Sequence, residues 1–232
     1  VIPCYYSENT IVSVLDEIHN KMKERPDIGY EIIVVNDCSP DNVLSLLVDI
    51  SKADKTLKIL NLAKNRGKTC AIMAGYSVVE GNIIINLDDD GQCPVDRLWD
   101  LVQPLYEGYD ACFARYPQKM ETAFKRFGSK VNSFMATQLV SKPKELYTSN
   151  FSAIKRFVTD EMIKYTNPYP YFTGLLVRTT SQITNVDMEE RSRIAGVGHY
   201  NFRKSFTLWM NGFTAFSVKP LRIATFLGFA CA

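Results

Sequence analysis

Three consecutive carboxylates, Asp88, Asp89 and Asp90, close the apolar run Asn82 to Leu87 and are followed by Gly91-Gln92-Cys93-Pro94. The run is short and rich in β-branched residues, as a strand buried in a parallel sheet would be. Acids at the end of such a strand repel one another and lose hydration, a cost that a cation or hydrogen-bond donors must offset. Ligands bind at the carboxyl edge of an open α/β sheet, so the expected chemistry is a hard divalent ion carrying a phosphorylated ligand. The alternative is a polar loop that opens the next helix, whose N-terminus favours acids. A single acid would be enough for that.

The elements that must position this stretch can be read from periodicity. Ile11, Val14, Leu15, Ile18 and Met22 fall at helical spacing and predict an amphipathic helix that ends before Pro26. Glu31 to Val35 is a buried-strand run stopping at Asn36-Asp37, after which Ser39 and Pro40 are expected as N-cap and first residue of a helix carrying Val43, Leu46, Leu47 and Ile50. Leu57 to Leu60 is the next strand. Gly67 precedes a helix through Ala71, Ile72, Gly75 and Val78, and the acidic strand follows. Pro94 is expected to start a helix with Leu98, Leu101, Val102 and Leu105 on one face, kinked or ended by Pro104. Asp110 to Ala114 is a further strand. This alternation predicts a parallel sheet with helices on both faces, and right-handed crossovers would set Pro3, Asp37, Asn61 and Asp88 along one edge.

Two other nucleotide-binding arrangements fail on glycine. Gly67-Lys68-Thr69 follows a strand and opens a helix, but the position five residues before Gly67 is Leu62, where a P-loop needs a glycine for its backbone to wrap phosphates. No G-x-G-x-x-G follows the first strand, which excludes a dinucleotide fingerprint. Composition agrees with an ordinary folded domain: 232 residues, 46% hydrophobic, and a formal net charge of +2 that gives no case for nucleic acid. The six cysteines lack paired C-x-x-C spacing and read as small apolar residues of a reduced, cytosolic protein. The chain opens on Val1-Ile2-Pro3 without an initiator Met or signal peptide and reads as a fragment that begins at the tail of a strand.

Four groups of residues, in order, resemble the signatures of family 2 glycosyltransferases: Pro3-Cys4-Tyr5-Tyr6-Ser7-Glu8, Val35 to Asp41, Asn65 with Gly67 and Gly75, and Leu87 to Pro94. The resemblance is closest to the polyprenyl-phosphate branch, such as dolichyl-phosphate mannose synthases and undecaprenyl-phosphate sugar transferases. It implies an α/β GT-A fold with a mostly parallel, Rossmann-like sheet, and C-terminal amphipathic interface helices. It also implies a UDP- or GDP-sugar donor. Carried over residue by residue, Pro3, Tyr5 and Glu8 would line the nucleotide pocket and Asp37 would contact base or ribose. Asn65, Lys68 and Asp88 would complete the donor site, with Asp89 in a supporting position. Asp88, Asp90 and Gln92 would hold Mg²⁺ or Mn²⁺. The sequence departs from the family pattern at Tyr6, where Asn is usual, at Cys38, where Gly is usual, and at Cys93, where Asp commonly follows the Gln.

The second half points to the acceptor. A helix expected from Thr122 to Leu139 carries Phe124, Phe127, Val131, Phe134 and Met135 on one side, with Lys125, Arg126 and Lys130 at its start. Such a helix packs in a soluble core or lies on a membrane surface with its cations toward anionic headgroups. Lys125 to Lys130, with Ser129, also resembles the motif that holds the acceptor lipid phosphate, and Arg115 resembles another phosphate-binding arginine. Arg193 to Tyr200 resembles a loop that places Arg193 on the donor diphosphate, with Gly198 replacing the usual Ser. Phe151 to Tyr165 reads as a strand end and helix, and Gln182 to Asp187 as an edge strand.

Residues 1–200 are thus expected to form the catalytic domain, and 201–232 a juxtamembrane amphipathic helix and the start of a transmembrane segment. The run from Thr225 to Ala232 is too short to span a bilayer. The expected activity is inverting transfer to a polyprenyl phosphate at the cytoplasmic face of a membrane, through Asp88, Asp90, Arg115, Lys125, Ser129 and Arg193, with homo-oligomerisation allowed. The alternatives are transfer to a glycan or glycolipid hydroxyl, and an inactive membrane-bound scaffold.

Overall fold

A computed structural model describes residues 1–117, 146–192 and 225. Its elements are β1 (Ile2–Cys4), α1 (Ile11–Met22), β2 (Ile32–Asn36), α2 (Val43–Ala53), β3 (Leu57–Asn61), α3 (Lys68–Tyr76) and β4 (Ile83–Asn86). A 3₁₀ turn (Val95–Arg97) leads into α4 (Leu98–Tyr106), followed by β5 (Ala111–Arg115), β6 (Ser152–Lys155), α5 (Arg156–Met162), α6 (Phe172–Thr179) and β7 (Ile183–Asp187). The expected helices at 122–139 and 202–216, the loop at 193–200 and the run at 226–232 lie outside the described residues. Among the described residues no helix is long and apolar enough to cross a membrane.

β1, β2 and β3 form a parallel sheet in that order, and β4, β6, β5 and β7 form a second. Val1 joins them: its terminal nitrogen donates to the Ile85 carbonyl at 2.7 Å, and Leu87 N–H donates to the Val1 carbonyl at 3.3 Å. One residue bridging two partners two positions apart is the bonding pattern of a parallel ladder. β6 alone runs against its neighbours β4 and β5, so the sheet is mostly parallel, as expected, and β7 is the edge strand. The return strand leaves β4 and β5 pointing the same way, with their carboxyl ends on one edge.

Alternate residues of β2 face opposite sides, which explains its unbroken apolar run. Ile32 and Val34 pack in a cluster with Val14, Leu15, Leu47 and Leu101, from α1, α2 and α4. Ile33 and Val35 pack in a second with Ile72, Val158 and Leu176, from α3, α5 and α6. Gly75 lets α3 approach closely, since a Cβ there would lie 2.5 Å from Val1 Cγ1 and 3.3 Å from Val35 Cγ2.

Two helix starts differ from expectation. α2 begins at Val43 behind Asn42, not at Ser39-Pro40. Ser39 Oγ accepts from Tyr6 N–H at 2.7 Å and donates to Asp41 Oδ1 at 2.6 Å, so the side chain that could cap the helix ties two loops together instead. Pro94 leads into the 3₁₀ turn, and α-helix starts only at Leu98. Pro104 lies in the last turn of α4, which ends two residues later at Tyr106.

Candidate active site

The first three strands end level, because Cys4, Asn36 and Asn61 are register partners. Asn36 Nδ2 donates to Asn61 Oδ1 at 2.8 Å, and the backbone of Asp37 donates to the Cys4 carbonyl at 3.0 Å. β1 lies between β2 and β4, and the helices that follow β1 and β3 pack on opposite faces of the sheet. The chain leaves β1 toward β2 and β4 toward β5, on opposite sides, so the strand order reverses between β1 and β4 at a topological switch point, where an α/β sheet opens a crevice. The acidic loop lines that crevice.

Its three acids do different things. Lys68 Nζ, from the first residue of α3, pairs with Asp88 Oδ1, and Asn150 Nδ2 donates to Asp88 Oδ2 at 2.8 Å. Asp89 turns toward the loop after β1, where its Oδ2 accepts from Ser7 Oγ and, at 3.1 Å, from Tyr5 N–H. Burial pushes the Asp89 carboxyl above its ordinary range, outweighing the bonds from Ser7 and Tyr5 that pull it down. Asp90 Oδ1 accepts from Gln92 N–H at 3.1 Å, closing a turn in which Gly91 takes a φ of 74°. Cys93 is buried, donated to by Asp88 N–H, and its thiol is pushed up to about 12 by burial. It is packing and not a nucleophile, since the thiolate is the reactive form.

The residues expected around the nucleotide gather at the same edge. Tyr5 and Asn65 are exposed there, while Pro3 is buried in β1. Glu8 Oε2 accepts from Asn42 N–H, and Glu8 N–H donates to Asp41 Oδ2, each at 3.0 Å. Asp37 is only 3% exposed, and its carboxylate accepts from Arg66 N–H at 2.7 Å and Gly67 N–H at 2.8 Å. Its present partners are thus backbone groups of the loop leading into α3. Tyr6 and Cys38 sit in the left-handed region, with φ of 61° and 53°. Asn and Gly, usual at these positions in the family resembled, are the residues that tolerate it.

Arg115, expected to meet the acceptor phosphate, ends β5 at the carboxyl edge and pairs through Nε and Nη2 with Asp187, at 2.5 and 2.9 Å. That pair keeps Arg115 above, and Asp187 below, its ordinary range. Lys125, Ser129 and Arg193 lie outside the described residues. Arg191 binds Glu17 at 2.8 Å and Asp96 at 2.5 Å, and exchanges backbone and side-chain bonds with Gln92 at 3.2 and 3.3 Å. It fixes the chain two residues before Arg193.

The family model described as glycosyl transferase family 2 matches residues 1–163. The chain belongs to that family. It is 31% identical over 232 residues to the uncharacterized glycosyltransferase YkcC of Bacillus subtilis, covering 98% of this chain and 71% of that protein. It is 28% identical over 230 residues to the undecaprenyl-phosphate 4-deoxy-4-formamido-L-arabinose transferase of Proteus mirabilis, covering 98% and 70%. It superposes with a TM-score of 0.66, at 18% identity and covering 90% and 74%, on Mycobacterium tuberculosis glucosyl-3-phosphoglycerate synthase, whose structure holds Mn²⁺ and UDP-glucose. The protein is therefore a glycosyltransferase with the GT-A fold.

In this glycosyltransferase the structure adds Asn150, Asp187 and Arg191 to the residues around the crevice. Each meets a partner at least 62 positions away, or in Arg191's case up to 174. Only the polar character of Asn150, just before a strand, was open to sequence reading. As for a metal, two carboxylates and an amide suit Mg²⁺ or Mn²⁺, which take remaining ligands from water and substrate phosphates. Among the described residues no group of three or more His, Cys, Asp or Glu is placed so as to hold a metal ion by itself.

Proposed function

We propose that this family 2 glycosyltransferase moves a sugar from a nucleoside-diphosphate donor to a polyprenyl phosphate at a membrane surface, with inversion, and that residues 1–200 are its catalytic domain. The observation that carries the proposal is the gathering of Asp88, Asp90, Lys68 and Arg115 on one sheet edge: an acidic loop for a metal-bound diphosphate, and an arginine for a second phosphate. The undecaprenyl-phosphate transferases among its relatives, matched over nearly the whole chain, support the acceptor class. A divalent ion held by Asp88, Asp90 and Gln92 would neutralise charge on the departing nucleoside diphosphate.

The chain's own residues supply position and charge. Asp89 holds the loop of Tyr5 against the acidic loop, and Asp37 shapes the loop of Asn65. Lys68 brings an ammonium to the same crevice, and Arg115 would orient the acceptor phosphate. An ionised phosphate oxygen is already nucleophilic at neutral pH, so no strong general base is required. His19 is engaged elsewhere, in the last turn of α1, its ring nitrogens bonded to Tyr30 Oη at 2.8 Å and Asp54 Oδ2 at 3.0 Å.

The test is radiolabelled transfer from a panel of UDP- and GDP-sugars to undecaprenyl and dolichyl phosphate in detergent micelles, with the product's anomeric configuration read by NMR. Label on the lipid phosphate, inverted, is expected, and Asp88→Asn or Asp90→Asn should abolish it. Label reaching only glycan or glycolipid hydroxyls would overturn the acceptor assignment, and full activity in either variant would overturn the metal assignment.

A further inference from the structure

The Asp88 carboxylate is met on both oxygens, by the ammonium of Lys68 on Oδ1 and the carboxamide of Asn150 on Oδ2. The two donors differ in what they can give up. Asn150 is neutral and fixes the plane of the carboxylate. Lys68 carries a full charge, and at 40% exposure its flexible stem can leave Asp88, itself 20% exposed, without unpacking the core. We propose that Lys68 is a resident counter-ion of the acidic loop, which an incoming divalent ion must displace, and that the donor diphosphate drives the exchange by drawing the ammonium onto its own oxygens. This rests on reading the loop as the bearer of a metal–diphosphate complex.

The coupling follows from charge. An ion arriving alone breaks the Lys68–Asp88 pair and leaves the ammonium with water as its partner, so the worth of the pair is subtracted from the ion's affinity. With a diphosphate present, the displaced ammonium gains charge-assisted bonds to phosphate oxygens. Ion and nucleotide therefore each tighten the other's binding, by the same factor, since linkage between two ligands is reciprocal. The acidic loop would bind metal weakly until a donor is in place, and Lys68 would arrive on the diphosphate as a consequence of metal binding.

Three forms of the protein test this: wild type, Lys68→Met and Lys68→Arg. Free Mn²⁺ is followed by electron paramagnetic resonance, UDP and GDP binding by calorimetry, each with and without the other ligand, and folding by thermal melting. Without nucleotide, Lys68→Met should bind Mn²⁺ about fivefold more tightly than wild type, the worth of an ion pair near the top of the range for exposed ones. The factor by which the bound nucleotide tightens Mn²⁺ should shrink in Lys68→Met and persist in Lys68→Arg. Unchanged or weaker Mn²⁺ binding by Lys68→Met would overturn the proposal, and a lowered melting temperature with no gain in ion affinity would show a tether between α3 and the acidic loop instead. A wild type that binds nucleotide but no Mn²⁺ under either condition would remove the metal reading itself.

Discussion

Asp37→Asn separates two roles that a buried acid at this edge could have. In the structure each carboxylate oxygen accepts one backbone N–H, from Arg66 at 2.7 Å and from Gly67 at 2.8 Å. Asparagine has the same shape, but one of its two terminal atoms is a donor. Whichever way the amide is turned, one backbone N–H then faces another N–H. The variant loses one charge-assisted bond outright, about 1.5–3 kcal/mol, and reduces the other to a neutral one. Arg66 and Gly67 are not buried, so water relieves part of the mismatch, and the total comes to about 3 kcal/mol. With a urea m-value near the top of its usual range, about 3 kcal/mol/M, the unfolding midpoint falls by about 1 M. Asn should protect no better than Ala, which leaves room for water at both amides. The assay is urea unfolding followed by circular dichroism, beside calorimetric titration with UDP and GDP. A midpoint within about 0.2 M of wild type, well inside the shift expected from these bonds, with nucleotide affinity lost, would refute the clamp and make Asp37 a direct nucleotide contact.

Cys38→Gly should stabilise, because Cys38 is exposed and left-handed; relief of strain, less the entropy that glycine adds to the unfolded chain, leaves about 1 kcal/mol, or a melting temperature about 2–4 °C higher. An unchanged or lower melting temperature would count against strain at that position. Burial alone would raise the Glu31 carboxyl, but Lys58 and the N–H groups of Glu80 and Gly81 outweigh it and hold the pKa below its ordinary 4.5. Its contribution is therefore full above 4.5 and lost as pH falls through the lower folded value, so the stability gap between wild type and Glu31→Gln should close below 4.5. A gap that stays constant into acid would refute this. Asp187→Asn should free Arg115 and lower KM for the lipid phosphate while Arg115→Ala raises it, with little change in melting for either exposed residue; shifts in the same direction would refute Arg115 as an acceptor contact.

The strands and helices were legible because their signals are local. The period of α1 and the β-branched run of β2 report which faces are buried, and Gly67 marks a helix start through a φ of 86°. The start of α2 was not, because Ser39 has two uses and the competing one, binding Tyr6 and Asp41, depends on a loop more than thirty residues away. β6 reads as a strand end but carries no mark of its direction, which is fixed by pairing with β4 and β5. The same limit applies at the crevice. Residue types and the family resemblance pointed to Asp88, Asp90 and Gln92, but no spacing relates Asn150 to Asp88 or Asp187 to Arg115. Arg115 and Asp187 meet because the parallel strands β5 and β7 end level, and Asn150 reaches the same edge because the antiparallel β6 begins there.

The three acids of the triplet are held by three different sets of partners. A chain leaving a strand in extended form throws successive side chains to opposite sides. Asp88 meets Lys68 and Asn150, while the middle residue, Asp89, is turned the other way, onto the loop of the neighbouring strand β1. A neutral side chain there would ease repulsion between the outer two, but it would leave Tyr5 N–H and Ser7 Oγ without a charged acceptor and unlink the two loops that face each other across the crevice. Burial works against Asp89's charge, and the site keeps the residue nonetheless. Asp90 is needed for shape as well as charge, since its bond to Gln92 N–H closes the turn at Gly91, while the Gln92 side chain donates to the Arg191 carbonyl. The cost of three adjacent carboxylates is thus distributed: one is offset by an ammonium, one by a hydroxyl and a backbone amide, and one by the turn it forms. That arrangement holds the loop in shape before any ligand arrives.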